Sequence, residues 1–393
     1  MKKLLPLIFA SAVALSASAE LNGNGYYRAK NYNSNRYIHV LDNKGSLNYQ
    51  ATTADLGAIE LYKDHEAVIS DPATVVYVCD LTGQNRDFDL RTQGTGVVSI
   101  IDHAVSIIKC PSIESAYYVF GRQSGVARYI VDGSIDTSTN KGTITDNPGP
   151  TDRGAWYFIP VSADSDEYFG VKPEFNIGDD YYASFYAGFP FSFASEGMSA
   201  YVVTKVNKDM VAMMEVTGTI PEGTPVFIKC KSATPAGNKL NVGGTGTAPY
   251  VNQLKGVYFN NTRIRHVNRV AYDKETMRVL GRMSDGSLGF ITADYDYLPR
   301  NTSYLTVPKG TPSELKIVPE SEFTGLNMID TDSSSASVSV DGRTLHVTGN
   351  CEYNVYTIAG HRIYSGSAQS FSLPSPGIYL VKTPQSVSKV VAK

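Results

Sequence analysis

Apolar and polar residues alternate along most of the chain in short runs punctuated by Gly, Asn, Asp and Pro, and no stretch repeats its apolar positions at helical spacing. The runs VVYVC (75–79), VSIIKC (105–110), AYVVTKV (200–206), MVAMMEVTG (210–218), TPVFIKC (224–230) and RVAYD (269–273) predict strands. Their β-branched and aromatic residues suit a pleated, half-buried surface. MRVLGRM (277–283) and SLGFITA (287–293), joined through Ser284, Asp285 and Gly286, predict a hairpin. SVSVDG, TLHVTG, YNVYTIAGHRIYSG, FSLPSPGIYLVKT and VSKVVAK continue the pattern to residue 393. The fold class expected is all-β.

A weak repetition organises the first part: YYRAKNYNSNRYIHVLDN (26–43), then YVCDL (77–81) through LRTQGTGVVSIID (90–102), then YYVFGRQSGVARYIVDG (117–133). Units spaced at about 40–50 residues that cannot bury their apolar faces alone suggest a threefold assembly, for which a β-trefoil over 20–165 is the simplest closed solution. A β-sandwich-like domain is expected over 166–322, opening on the aromatic-rich DDYYASFYAGFPFSF (179–193). A small Ig-like β-sandwich over 323–393 follows, with the Ser-rich stretch 330–337 as connector or hairpin tip.

The first 19 residues break the strand pattern. Lys2 and Lys3, an apolar run over 4–15 and Ala17-Ser18-Ala19 form the three parts of a signal peptide, placing the mature start at Glu20. The run is shorter than the ~20 residues that span a bilayer, and no later stretch is apolar enough, so no transmembrane span is expected. The expected partners are the Sec export machinery and signal peptidase. The 26 Tyr and 34 Gly among 393 residues reinforce the reading of twisted strands and tight turns. A net charge of −3 without a basic stripe argues against a nucleic-acid partner.

Outside the cytosol the four cysteines, Cys79, Cys110, Cys230 and Cys351, are allowed to pair. Cys79 and Cys110 are the pair nearest in sequence; they read equally as a disulfide or as two free thiols in separate strands. Their spacing fits no metal site, and the chain carries no cofactor fingerprint. The six histidines are scattered, and no nucleophile elbow or zinc-protease motif occurs, so the protein is expected not to be an enzyme.

The strands Tyr27-Arg28-Ala29-Lys30-Asn31 and Arg36-Tyr37-Ile38-His39-Val40, with Trp156 in AWYFIPV near the end of the third repeat, resemble the ricin-type lectin trefoil. The Q-x-W signature of that family is absent here, since Arg153-Gly154-Ala155 precedes Trp156. The segments GTIPEGTPVFIKC (218–230), Gly289-Phe290 and YLPRNTSYLTVP (297–308) are similar to a sandwich-like module of secreted Bacteroidetes proteins that precedes a sorting domain. The last segment resembles that C-terminal sorting domain of the type IX secretion system, through Val355-Tyr356-Thr357-Ile358, Gly360, Arg362-Ile363, Leu373, Pro376-Gly377-Ile378-Tyr379-Leu380-Val381 and the basic end from Lys389 to Lys393. No Pro-Asn-Pro opens it. This resemblance implies type IX secretion machinery as a partner, passage through the periplasm, and a cell-surface or secreted location.

For a sugar site, a ring must stack on the pyranose beside an amide or carboxylate that holds its hydroxyls. Tyr37 with Asp42 and Asn43, and Tyr129 with Asp132, offer that combination; the competing reading packs the rings in the barrel cap and leaves the acids making turns. Three functions follow: an exported, non-catalytic binding protein for a glycan or host protein; a trefoil-type protease inhibitor using the Thr-, Gly- and Pro-rich loop 134–151; and a hydrolase with dispersed acidic residues.

Overall fold

The computed structural model describes residues 21, 24–41, 59–83, 88–92, 105–123, 126–249, 251–260, 268–323, 337–348, 352–358, 360–383 and 387–393. The expected leader 1–19, Asp42, Asn43 and Cys351 lie outside the described residues. Thirty strands, a four-residue helix at His65–Val68 and a few 3-10 turns make up the described regions, so the chain is all-β. It divides into two compact units, 1–323 and 324–393.

In the first half of the larger unit, ten strands run in order: β1 (Gly25–Asn31), β2 (Tyr37–Val40), β3 (Ile59–Tyr62), β4 (Val76–Asp80), β5 (Phe88–Thr92), β6 (Ser106–Lys109), β7 (Tyr117–Gln123), β8 (Val126–Asp132), β9 (Lys141–Asn147) and β10 (Ala155–Pro160). Six of them close a ring. β1 pairs with β4, β4 with β5, β6 with β7, β7 with β10, and β10 returns to β1. The remaining step, from β5 to β6, is made by two 2.8 Å backbone hydrogen bonds between Phe88 and Val105. The hairpins β2–β3 and β8–β9 join each other through β3 and β9.

The alternation seen in the sequence decides what fills this barrel. Tyr27 and Ala29 of β1, Val76 and Val78 of β4, Phe88 and Leu90 of β5, and Trp156 and Phe158 of β10 share one core with Ile38, Leu61, Ile130 and Ile144 of the hairpins. Trp156 is fully buried, and its indole N–H donates to the Ile130 carbonyl at 3.0 Å, so the one polar atom of the ring is satisfied inside the core.

The second half is built on a sheet in which Asp180–Phe185, Val226–Cys230, Ser199–Val206 and Met210–Val216 are neighbours in that order. Both faces of this sheet are covered. Ala183, Phe185, Ala200, Val202, Val226 and Ile228 pack on one side with Phe169, Phe189, Phe191 and Leu240. On the other side Val203, Val211 and Phe227 pack with Leu280, Phe290, Leu305 and Leu315. Double coverage explains why TPVFIKC and AYVVTKV read as nearly continuous apolar runs. The sheet extends by a parallel pairing of Met210–Val216 with Glu314–Pro319, and the expected hairpin forms between Met277–Arg282 and Leu288–Ile291. RVAYD does not become a strand: it holds one bridge, Ala271 to Tyr297, while the Arg269 guanidinium sits 3.7 Å from the centre of the Tyr297 ring.

The smaller unit places Ser337–Asp341, Thr344–Thr348 and Ser370–Ser372 in one sheet and Arg362–Gly366, Tyr353–Thr357, Gly377–Lys382 and Val387–Ala392 in another. One core holds both sheets together, from Leu345, Val347, Tyr353, Val355, Leu373 and Val381. Gly360 takes a φ of 83° in the turn before Arg362, a conformation that favours glycine. Gly377 opens its strand, Tyr379 is buried with its hydroxyl donating to the Ser375 carbonyl at 2.8 Å, and Lys389 and Lys393 are exposed.

Cys79, on β4, and Cys110, just after β6, are free thiols, so the structure follows the second reading of this pair and not the disulfide. Cys230 is free as well, and burial pushes its thiol up to about 12. In a native thiol-labelling experiment, half-buried Cys79 is expected to react while Cys230 reacts only after unfolding. Intact mass under non-reducing conditions checks the same point: a loss of two hydrogens joining Cys79 to Cys110 would contradict it.

Candidate functional site

The inward phase of β1 and β4 is spent on the barrel core, so the opposite phase of the same strands faces outward, and it meets the second half of the unit. On this face Tyr26 of β1 and Tyr77 of β4 are direct cross-strand partners, with ring centres 4.8 Å apart and planes tilted by 47°. Tyr26 also meets the edge of Phe189 at 6.4 Å. Asn24, Tyr26 and Tyr77 form one wall of a cleft of about 570 Å³, whose other wall is Pro190, Pro221, Glu222 and the glycine-rich segment 243–246. Gly243, at φ 108°, brings its backbone against the Tyr26 ring: a Cβ there would lie 3.6 Å from two ring carbons.

Burial and then the Glu222 carboxylate raise the pKa of Tyr26. Burial, Cys79 and Glu222 likewise raise that of Tyr77, against the opposing charge of Arg91. Both phenols therefore stay protonated at neutral pH and are able to donate hydrogen bonds. The Asn24 side-chain oxygen accepts from the Asp80 N–H at 2.8 Å, which leaves its amide nitrogen to donate. The cleft thus combines two aromatic faces, hydroxyl and amide donors and a carboxylate acceptor. A two-carboxylate hydrolysis needs a second acid facing Glu222, and none lines the cleft among the described residues. No cluster of metal-ligating side chains occurs among them either.

The residues expected to hold a sugar are elsewhere. Tyr37 is fully buried and donates from its hydroxyl to Glu167 Oε1 at 2.6 Å, so it presents no face to a ligand. Asp132 is buried in an ion pair with Arg36 at 2.7 Å. Tyr129 packs against Phe120 and Tyr118, with ring centres 4.9 and 5.9 Å away. Tyr37 and Asp132 are thus engaged by buried partners, and Asp42 and Asn43 lie outside the described residues.

Two charged clusters tie the first half of the unit to residues further along the chain. In the first, Arg28 projects from β1 beside Tyr26, is fully buried, donates to Thr74 Oγ1 and to the Tyr168 carbonyl at 3.0 Å, and faces Glu167 at 3.5 Å. Burial pulls Arg28 down to about 10, with Glu167, Tyr37 and Asp71 opposing the fall. It still carries its charge at neutral pH. In the second, Asp71 Oδ2 lies 2.9 Å from His39 Nε2 and 2.6 Å from Arg300 Nη2. Burial is the largest influence on His39 and disfavours the charged ring, but hydrogen bonds to Asp71 and Glu60 outweigh it and leave the pKa raised. Burial also works against the Asp71 carboxylate, yet His39 and Arg300 together hold the carboxyl well below its usual range.

No protein-family model matches this chain, and no curated protein matches it. Among solved structures it is similar to a mosquitocidal holotoxin, with a TM-score of 0.28 and 9% identity over 92% of this chain and 42% of that one. The chain therefore spans less than half the length of that protein, and a likeness of this size carries no argument about fold or function.

The sequence pattern did not single out Tyr26, Tyr77, Glu222 or Gly243. The outward phase of Tyr77 was readable from Val76 and Val78 on either side, which bury themselves. What no local pattern carried was the pairing of β1 with β4 and the approach of 243–246 from the other half.

Proposed function

We propose that this is an exported, non-catalytic binding protein whose cleft beside Tyr26 and Tyr77 takes a glycan. The observation that carries this reading is the pair of tyrosine rings placed within one cleft with the Glu222 carboxylate and the Asn24 amide. Such rings stack on the apolar face of a sugar while the polar groups hold its hydroxyls. A closed six-strand ring capped by hairpins, with Trp156 in its core, supports a β-trefoil for the first half. The doubly covered sheet supports a sandwich-like second domain, and two sheets around one core support an Ig-like sandwich for the smaller unit.

Export rests on the sequence: the charged, apolar and small-residue parts of 1–19 and the sorting-type pattern of the last strands. Under this reading the chain passes the Sec machinery and signal peptidase, then the type IX machinery, and reaches the cell surface or the medium. A glycan array with the folded mature protein tests the binding claim. Tyr77→Ala is expected to weaken any glycan found there by about tenfold, or roughly 1.4 kcal/mol. A blank array, or a glycan bound equally well by Tyr77→Ala and Glu222→Gln, removes the cleft as the site. Retention of a periplasmic reporter fused to 324–393, in a cell that has the type IX system, would remove the sorting role.

A further inference from the structure

The cleft beside Tyr26 and Tyr77 is one-sided in charge. Among the described residues its lining includes one carboxylate, Glu222, and no lysine, arginine or histidine. The cation that acts on Tyr77 from β5, Arg91, is held by Asp89 at 2.8 Å. After burial, Glu222 adds to the raised pKa of Tyr26, and after burial and Cys79 it adds to that of Tyr77. The negative charge of this one side chain is therefore felt at both rings. Those rings, 4.8 Å apart and tilted by 47°, add two π-faces to the same wall.

The wall opposite the rings is mostly backbone, and it is fixed at both ends. The Gly243 N–H donates to the Pro190 carbonyl at 2.7 Å. At the other end a Cβ on Gly246 would run into the Thr219 carbonyl, so the segment lies directly on the turn that carries Pro221 and Glu222. A wall tied down in this way keeps the distance between Glu222 and the rings without help from a ligand. Little ordering is left to be done on binding, and the gain from matched charges is kept as affinity.

A ligand that covers Glu222 takes a carboxylate out of water and must replace what the water supplied. Sugar hydroxyls do so with neutral hydrogen bonds, whereas an ammonium does so with a charge-assisted one, roughly twice as strong. The faces of the two tyrosines favour the same group, since the negative face of an aromatic ring attracts a cation. A uronic, sialylated or sulfated sugar meets like charge here. We propose, on the glycan reading of this cleft, that it selects a sugar carrying a free, protonated amine: a 2-amino-2-deoxyhexose unit held by Glu222 and the faces of Tyr26 and Tyr77. N-acetylation removes that charge and with it the advantage over a neutral sugar.

The test is titration of the folded mature chain with homotetrasaccharides of the gluco, galacto and manno series. Each is supplied with a hydroxyl, an acetamido group or a free amine at position 2. Physiological salt screens the general attraction of an acidic chain for an amine. In the series that binds, the amine member is expected to bind at least about tenfold more tightly than the hydroxyl member, and Glu222→Gln to bring it down to the hydroxyl member's affinity. Equal affinity for the two, a preference for the acetamido member, or a preference for the amine that persists in Glu222→Gln overturns the selection and leaves the glycan reading standing. Binding of no member overturns both. So does spermidine, an amine without a sugar ring, if it binds as tightly as the amino sugar, because the cleft would then read a cation alone.

Discussion

Glu167→Ala is expected to destabilise the larger unit by about 3–5 kcal/mol, because it strands a fully buried guanidinium. Glu167 faces Arg28 at 3.5 Å, accepts from the Tyr37 hydroxyl at 2.6 Å and lies 3.4 Å from His65 Nε2. Arg28 retains its bonds to Thr74 and Tyr168 in the variant, but neither partner carries a charge. Removing both charges together, in Arg28→Met with Glu167→Leu, should restore a large part of the loss, since the desolvation penalty disappears with the pair. Urea unfolding of the mature protein measures both variants. A Glu167→Ala effect below about 1 kcal/mol would mean that the pair contributes as little as an exposed one.

Asp71→Asn is expected to cost about 2–3 kcal/mol near neutral pH, less than a fully buried ion because Arg300 keeps part of its side chain in water. Its signature lies in the pH dependence. His39 has a raised pKa, so its contribution is fully present below the ordinary value of 6.5 and fades as pH rises through the folded value. Asp71 has a depressed pKa, so its contribution is present above the ordinary value of 3.8 and fades as pH falls below it. The wild type should therefore be most stable between about 3.8 and 6.5 as far as this cluster decides, and Asp71→Asn should flatten both flanks. Thermal unfolding followed from below 3.8 to above 6.5 decides the matter; parallel curves for the two proteins would show that the cluster does not titrate with folding.

The strand content was readable because alternation is local: Val76 and Val78 turn inward whatever they pair with, and TPVFIKC is apolar on both faces because its sheet is covered on both. Trp156, which the resemblance to the lectin trefoil implies is a core tryptophan, is buried in the core. Arg28 and Arg36 show where such reading stops. Arg28 sits on a strand phase that looks solvent-facing and Arg36 stands just before β2, and each is buried against a partner about 100 residues or more away, Glu167 for one and Asp132 for the other. The cleft was hidden for a like reason, since Tyr26 and Tyr77 meet only through the pairing of β1 with β4, and the wall at 243–246 comes from the other half. Tyr37 misled for the converse reason: a ring before a polar turn looks available until the glutamate that claims its hydroxyl is known.

That closure also sets a schedule for the newly made chain. Tyr27 pairs with Pro160, so β1 keeps one open edge until about 130 further residues have been synthesised, roughly 7–30 s at ordinary rates. Through that interval the first half has no completed ring to resist being threaded. A chain meant to cross a membrane before folding would gain from such a delay, and a version cut before β10 should never acquire the protease resistance of the finished barrel.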